Sequence, residues 1–406
     1  MSSINKPVSL RRIVPSVPVL SLATFQHVDG EHLPALTDAA DVRLVTSGRI
    51  AIGLALRALD VGAGDVVLVP AYHSPSMIPP VHWRGAEVGF YRVNADTTPD
   101  LGDIAAKLDG RVKAIMVTHF FGFPQDLAPL RTLSDRHGIG LIEDCAHCFF
   151  GQRDGVAVGS TGDYAIGSSM KFFPIYEGGC LVSHRHALNV RLRGAGAGFE
   201  AKAALGALET AFVYGRLGGL RAMLALPLRL KSMLWNAFKA RASGATDRTA
   251  PALAPASSDS SFAFDARWVD KRSSVFSRMV MRLSSRTRIV ERRRRHYLEL
   301  QHVLDGLPGC RPLFDTLPEG ACPWIFPLLV EQAERAADLL QDASVPIVRF
   351  GAVLWPGVDA SVCANSVALG CRLIGFPCHQ ELDEDEWQRM HSAVRQALEA
   401  AAAVPA

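Results

Sequence analysis

A strong excess of either charge is missing from this chain of 406 residues, where 43 lysines and arginines face 40 acids for a formal +3. That balance leaves no electrostatic footprint for nucleic acid. Long apolar runs without charge are missing too, so no segment reads as membrane-spanning. No secretory leader is recognisable: Arg11 and Arg12 precede an apolar run, but Pro15 and Pro18 interrupt it and no cleavage pattern follows. The eight cysteines are scattered, and only Cys145 and Cys148 form a CxxC. Without a second pair or spaced histidines, neither a metal site nor a disulfide framework is expected. A reducing cytoplasm is the expected setting. What remains, 49% hydrophobic and 20% charged residues, is the composition of a globular protein long enough for two domains.

Residues 1–40 show no sustained periodicity and read as an N-terminal arm. From residue 41 short apolar runs alternate with helical patterns. Strands are expected at 43–46, 66–69, 87–93, 112–118 and 140–142, with helices at 50–59, 75–84, 101–108 and 127–137. This rhythm predicts an α/β domain over 41–200, a mostly parallel sheet between helices. Residues 201–242 are basic, aromatic and apolar, and 243–261 read as a linker, so 201–261 is expected to be an insertion. Pro227 divides it, and its basic residues do not share one helical face. Packing on its own domain or a partner subunit is therefore the first reading, and peripheral contact with a membrane the second. Over 262–406 a smaller α+β domain is expected: a long helical region at 262–304, strands at 323–330 and 345–349, and helices at 334–340 and 383–399. The basic run Arg292 to Arg295 reads as a solvated helix face. The GAGAG of 194–198 lacks the strand–loop–helix setting of a dinucleotide loop.

Chemistry concentrates in residues 160–183, where Lys171 lies among apolar and aromatic residues. An ammonium is costly to bury, and an imine with a carbonyl cofactor relieves that cost; a surface lysine on a loop is the other reading. Ser47 and Gly48 open a helix after a strand, a ready phosphate site, or simply an N-cap. Asp144 closes an apolar strand, where a cationic heterocycle would justify its carboxylate. In parallel sheets such strand ends converge on one ligand. A phosphate anchor, an acid and a lysine are the needs of pyridoxal phosphate.

These segments resemble the DegT/StrS family of pyridoxal-phosphate-dependent sugar aminotransferases. The likeness rests on TSGRIAIGLALRALDVGAGDVVLVPAY, KAIMVTHFFGFPQDL, GLIEDCAHCFFG, SSMKFFPIYEGG and IGFPCHQELDEDEW, which stand in family order. The resemblance implies the fold-type I aminotransferase architecture and a homodimer. It implies transfer of an amino group, usually from glutamate, to a keto-sugar on a nucleotide, in polysaccharide or secondary-metabolite synthesis. Lys171 would bind the cofactor and shuttle a proton. Asp144 would pair with the pyridine nitrogen, and His147 would lie near the ring. Ser47, Gly48 and Ser168 would bind the phosphate, with Ser169 as the substitute for Ser168.

The sequence departs from the family at three places. The lead-in to Lys171 is short. Ser74 stands where an aromatic often stacks on the ring, so Tyr72 or His73 must stack instead, or the face is covered differently. Asp265-Ala266-Arg267 stands for the Asn-x-Arg that reaches the neighbouring subunit's phosphate, leaving Arg267 to act alone. Two alternatives follow: another reaction on the same cofactor, such as sugar dehydration, against which Lys171 argues, and a non-catalytic or membrane-associated protein that keeps the fold.

Overall fold

The computed structural model describes residues 14–30, 32–224 and 262–403. Its large sheet has seven strands: β1 (Asp41–Val45), β2 (Val66–Pro70), β3 (Glu87–Tyr91), β4 (Val112–Thr118), β5 (Gly140–Asp144), β8 (Tyr164–Gly167) and β9 (Gly179–Ser183). A two-stranded ribbon, β6 (Gln152–Arg153) and β7 (Val156–Ala157), interrupts the series. The order is β1-β9-β8-β5-β4-β2-β3. Only β9 runs against its neighbours, β8 and β1; the other pairings are parallel. Every residue of β2, β8 and β9 is buried, as expected of strands covered on both faces, and their near-continuous apolar runs reflect it.

Crossovers α1 (Gly48–Ala58), α2 (Pro79–Trp83), α3 (Leu101–Lys107) and α4 (Ala128–His137) follow β1, β2, β3 and β4. Beyond β9 come α5 (Ala197–Val213) and α6 (Gly218–Met223). A second sheet, β10 (Cys310–Pro312), β11 (Ile325–Val330) and β12 (Leu373–Pro377), is antiparallel throughout. With it go α7 (Val275–Leu283), α8 (Arg286–Val303), α9 (Ala333–Asp342), α10 (Ala360–Arg372) and α11 (Glu384–Ala402). One apolar cluster joins the two sheets: Leu68, Ile115 and Phe120 pack in it with Phe326, Trp387 and Met390.

Four features differ from the sequence reading, each for a local reason. The helical region over 262–304 breaks between α7 and α8, because the Ser285 hydroxyl accepts the Arg288 N–H and starts a new helix. The strand expected at 345–349 shrinks to one bridge, in which Val348 and Gly375 exchange 2.8 Å bonds; Pro346 has no N–H to extend it. Helix α5 crosses the border placed at residue 200, burying Ala203, Ala207 and Ala211 as it packs beside α7. Arg293, read as part of a solvated face, is fully buried. The rest of the basic segment, from 225, and the linker over 243–261 lie outside the described residues.

The N-terminal arm packs on this body. Val19, Leu20, Leu33 and Leu36 are buried with Phe149, Phe172 and Ile289. No helix among the described residues is long and apolar enough to cross a membrane.

Candidate active site

At the carboxyl ends of β1, β4, β5 and β8 the chain encloses a cavity of about 210 Å³. Ser47 and Gly48 form one end. The Ser47 hydroxyl accepts from the Ile50 N–H at 3.4 Å, so α1 begins at the cavity wall with its first amides and positive dipole end there. The lysine loop is stitched to this turn, since the Gly178 N–H donates to the Thr46 carbonyl at 3.0 Å. Gly179 must be glycine: a Cβ there would fall 2.4 Å from the Ser47 carbonyl carbon. Glu177, in the same loop, is buried and accepts from the Ser273 and Ser274 hydroxyls and the Ser274 N–H.

Asp144, the last residue of β5, is 4% exposed. Its carboxylate accepts from the Ala146 N–H at 2.9 Å and lies 3.5 Å from the Thr118 hydroxyl. Burial raises its pKa, while the Ala146 amide and the charge of Lys171 pull the other way. Such a carboxylate stays ionised most readily beside a cation. Lys171 ends a short 3-10 turn, Ser169–Lys171. Burial brings its ammonium down to a pKa of about 8, against the opposing pull of Asp144. Its Nζ lies 4.3 Å from the centroid of the Trp324 ring.

His147 is buried in an aromatic stack, 4.0 Å from Trp324 and 5.8 Å from Phe121, with Phe350 edge-on at 4.9 Å. Burial first, then the Lys171 charge, keeps its pKa well below the ordinary value. Its buried Nδ1 has no hydrogen-bond partner among the described residues.

Six of the residues singled out from sequence line this one cavity: Ser47, Gly48, Asp144, His147, Ser168 and Lys171. Of the two serines, Ser168 lines the cavity, whereas the fully buried Ser169 does not. Three residues stand elsewhere. Tyr72 is fully buried behind the wall, donating to the Phe350 carbonyl at 2.9 Å. His73 is fully buried too, stacked on Phe90 at 5.1 Å, with Nε2 accepting the Trp355 N–H. Neither ring lines the cavity, so neither can lie on a ligand in it without moving; Met77 and the mutually bonded hydroxyls of Ser74 and Ser76 line that side. Arg267 lies at the surface, paired with Asp265 and outside this cavity.

Sequence reasoning missed Trp324, Phe350, Thr118 and Arg293. Arg293 was hidden in a run of like residues. Trp324 and Phe350 come from the part of the chain that carries the second sheet, and no spacing in the sequence ties them to Lys171.

A larger cleft of about 480 Å³ opens on the other side of β5, with His119 and Glu143 in its wall. These two bond each other at 2.9 Å, and Glu143 also accepts from the amides of Gly159, Thr161 and Gly162. With Cys145 they form a buried cluster of metal-ligating types, but the lone pairs of Glu143 are already engaged. The residues singled out from the sequence converge on the smaller cavity instead.

Residues 31–201 match the DegT/DnrJ/EryC1/StrS aminotransferase family. The matched stretch, which carries all seven strands of the large sheet, is similar to that family. Among curated relatives, a UDP-N-acetyl-3-dehydro-alpha-D-glucosamine 3-aminotransferase of Acidithiobacillus ferrooxidans is 36% identical over 155 residues, 36% of this chain and 41% of the relative. A GDP-perosamine synthase of Vibrio cholerae is 33% identical over 143 residues, 34% of this chain and 39% of the relative. The chain thus aligns with only about two fifths of the length of these relatives. Solved structures extend the likeness in three dimensions. A Streptococcus pneumoniae protein in its PLP-form superposes with TM-score 0.65 at 16% identity, covering 96% of this chain and 99% of that one. The 3-amino-5-hydroxybenzoic acid synthase gives TM-score 0.61 at 21% identity, covering 90% and 88%. At such identities the likeness establishes the fold, that of the fold-type I aminotransferases. The DegT/DnrJ/EryC1/StrS match ends at residue 201, so Trp324, Phe350 and Arg293 lie beyond it.

Proposed function

We propose that the protein is a pyridoxal-phosphate-dependent aminotransferase. In this reading it moves an amino group from an amino acid, glutamate in the first instance, to a keto-sugar carried on a nucleotide. The observation that carries the reading is the convergence of Ser47, Gly48, Ser168, Asp144 and Lys171 on one cavity. The residues suit the cofactor: a helix N-terminus with two serine hydroxyls for a phosphate, a buried carboxylate for a pyridinium, and an amine. The names of the two curated relatives, both acting on nucleotide-linked sugars by title, support the acceptor class.

Pyridoxal phosphate, when bound, supplies an aldehyde that takes up the amino group and a ring that accepts the electron pair left on the substrate carbon. The chain does the rest. The α1 amides and the Ser47 and Ser168 hydroxyls would hold the phosphate. Asp144 would keep a proton on the ring nitrogen, and that cation in turn keeps Asp144 ionised. Lys171, with a pKa near 8, exchanges a proton readily at neutral pH once its Nζ is free. The buried Nδ1 of His147 would find its partner in the ring's oxygen.

The proposed working form is a homodimer in which Arg267 reaches the partner's phosphate. The second reading of the basic segment is peripheral membrane contact through residues 201–242; against it, Arg216 in that segment is held by Asp383 and Glu386. Flotation with liposomes should be lost when 201–242 is deleted, and an intact protein that does not float would refute that contact.

The enzyme reading is tested with purified protein and pyridoxal phosphate. The complex is expected to be yellow, to carry a borohydride-fixed mass label on Lys171, and to change spectrum with glutamate. Folded protein that stays colourless overturns it.

A further inference from the structure

In the proposed reaction the Lys171 amine is bonded at one stage and free at another, and this structure shows where the free amine rests. Its Nζ lies over the indole of Trp324, 4.3 Å from the ring centroid. Trp324 belongs to the part of the chain that carries the second sheet, just before β11, and its position is fixed from several directions. Its backbone N–H donates to the Phe121 carbonyl at 2.8 Å. Gly122 leaves room for this approach, since a Cβ there would fall 2.2 Å from the Cys322 carbonyl oxygen. The Trp324 carbonyl accepts from Arg293 at 3.1 Å, and the same guanidinium donates to the Lys171 carbonyl at 2.8 Å. The indole itself is stacked on His147. A ring held this firmly beside a lysine amine is more than filling.

We propose that Trp324 is a positioning residue for Lys171: its ring face seats the uncombined amine in the cavity and favours the ammonium form. The role in turnover rests on the aminotransferase reading, whereas the seat itself does not. Four groups bear on the charge from the surrounding elements. Asp144 on β5 favours the ammonium, and His147 after β5, Arg49 on α1 and Arg293 on α8 face the same region. Burial opposes the ammonium. A cation–π contact favours the cation by roughly three- to thirtyfold, enough to offset part of that opposition.

The test titrates Lys171 in the cofactor-free full-length protein, by the pH dependence of its acetylation with acetic anhydride, read by mass spectrometry of the Lys171 peptide. Leucine at 324 keeps the site apolar but has no ring face. Trp324→Leu is expected to lower the pH midpoint by about 0.5 to 1.5 units, and Trp324→Phe to leave most of it in place. Fluorinated tryptophans placed at 324 alone keep the shape and weaken the ring's negative face, so the midpoint should fall stepwise with each fluorine. That series stands even if the leucine variant does not fold. Equal midpoints across it, or a shift in Trp324→Phe as large as in Trp324→Leu, overturn the proposal. Borohydride trapping of pyridoxal phosphate runs in parallel. Graded shifts without trapping would sink the cofactor reading and leave the seat standing, and trapping without shifts would do the reverse.

Discussion

Arg293 donates from one guanidinium nitrogen to the backbone carbonyl of Lys171 at 2.8 Å, although the two residues are 122 positions apart in the chain. Among the described residues it has no carboxylate partner. Its other bonds run to the Gln380 side chain and to the carbonyls of Pro323 and Trp324. A buried cation satisfied only by neutral acceptors cannot be removed without leaving several of them bare. It therefore fixes the height of α8 and of the β11 lead-in against the lysine turn.

Lys171→Ala should abolish the borohydride-fixed label and lower transamination by on the order of 10⁴-fold or more, as expected when a group acting as both nucleophile and proton carrier is lost. Peptide mapping after reduction and a coupled glutamate assay measure the two effects. Substantial residual activity with label on another lysine would refute the assignment.

Asp144→Asn keeps the shape but cannot hold a proton on a ring nitrogen. The half-reaction with glutamate should slow by about 10² to 10⁴-fold, the range of a lost proton-transfer partner. Cofactor retention should fall much less. Stopped-flow absorbance at saturating glutamate separates the two.

Cofactor-free protein should gain stability when Lys171 becomes Met. The folded-state pKa, about 8, is below the ordinary 10.5, so between these values the unfolded chain binds the extra proton and stability rises with pH. The cost of the buried ammonium is thus fully present below pH 8 and gone above about 10.5. Lys171→Met should be more stable at pH 7 by on the order of 1–3 kcal/mol, with the gap closing towards pH 10. Paired urea unfolding curves at the two pH values measure it.

Glu143→Gln should destabilise the fold without touching the cavity wall. Burial works against the Glu143 charge, but the bond and charge of His119 and the amides of Gly162 and Gly159 outweigh it and hold the pKa below the ordinary value. Its contribution is present above the unfolded pKa near 4.5 and is lost as pH falls through the lower folded value. A loss of about 2–4 kcal/mol is expected at neutral pH, shrinking in acid. Denaturation monitored at pH 7 and below pH 4 would show whether it does.

Ser47→Ala should weaken binding of pyridoxal phosphate about tenfold, the scale of one hydrogen bond to a charged group. Free pyridoxal, which lacks the phosphate, should be affected far less. Equal losses for both would place the phosphate elsewhere.

The amino-acid sequence determined the parallel sheet and the residues at its carboxyl ends, because both are local. Apolar runs in β2, β4 and β5 announce buried strands, and Ser47, Asp144 and Lys171 sit where such strands stop. What covers them was decided by tertiary structure. Ser74 signalled a missing aromatic, yet Tyr72 and His73 are held behind the wall by bonds to Phe350 and Trp355, residues far along the chain. Arg293 looked like one more charge on a helix until β11 and the lysine turn closed over it. Trp324, Phe350 and Arg293 reach the lysine only through the packing of the second sheet and its helices against the first, and periodicity and spacing report the neighbours of a residue along its own element, not those that packing brings from another.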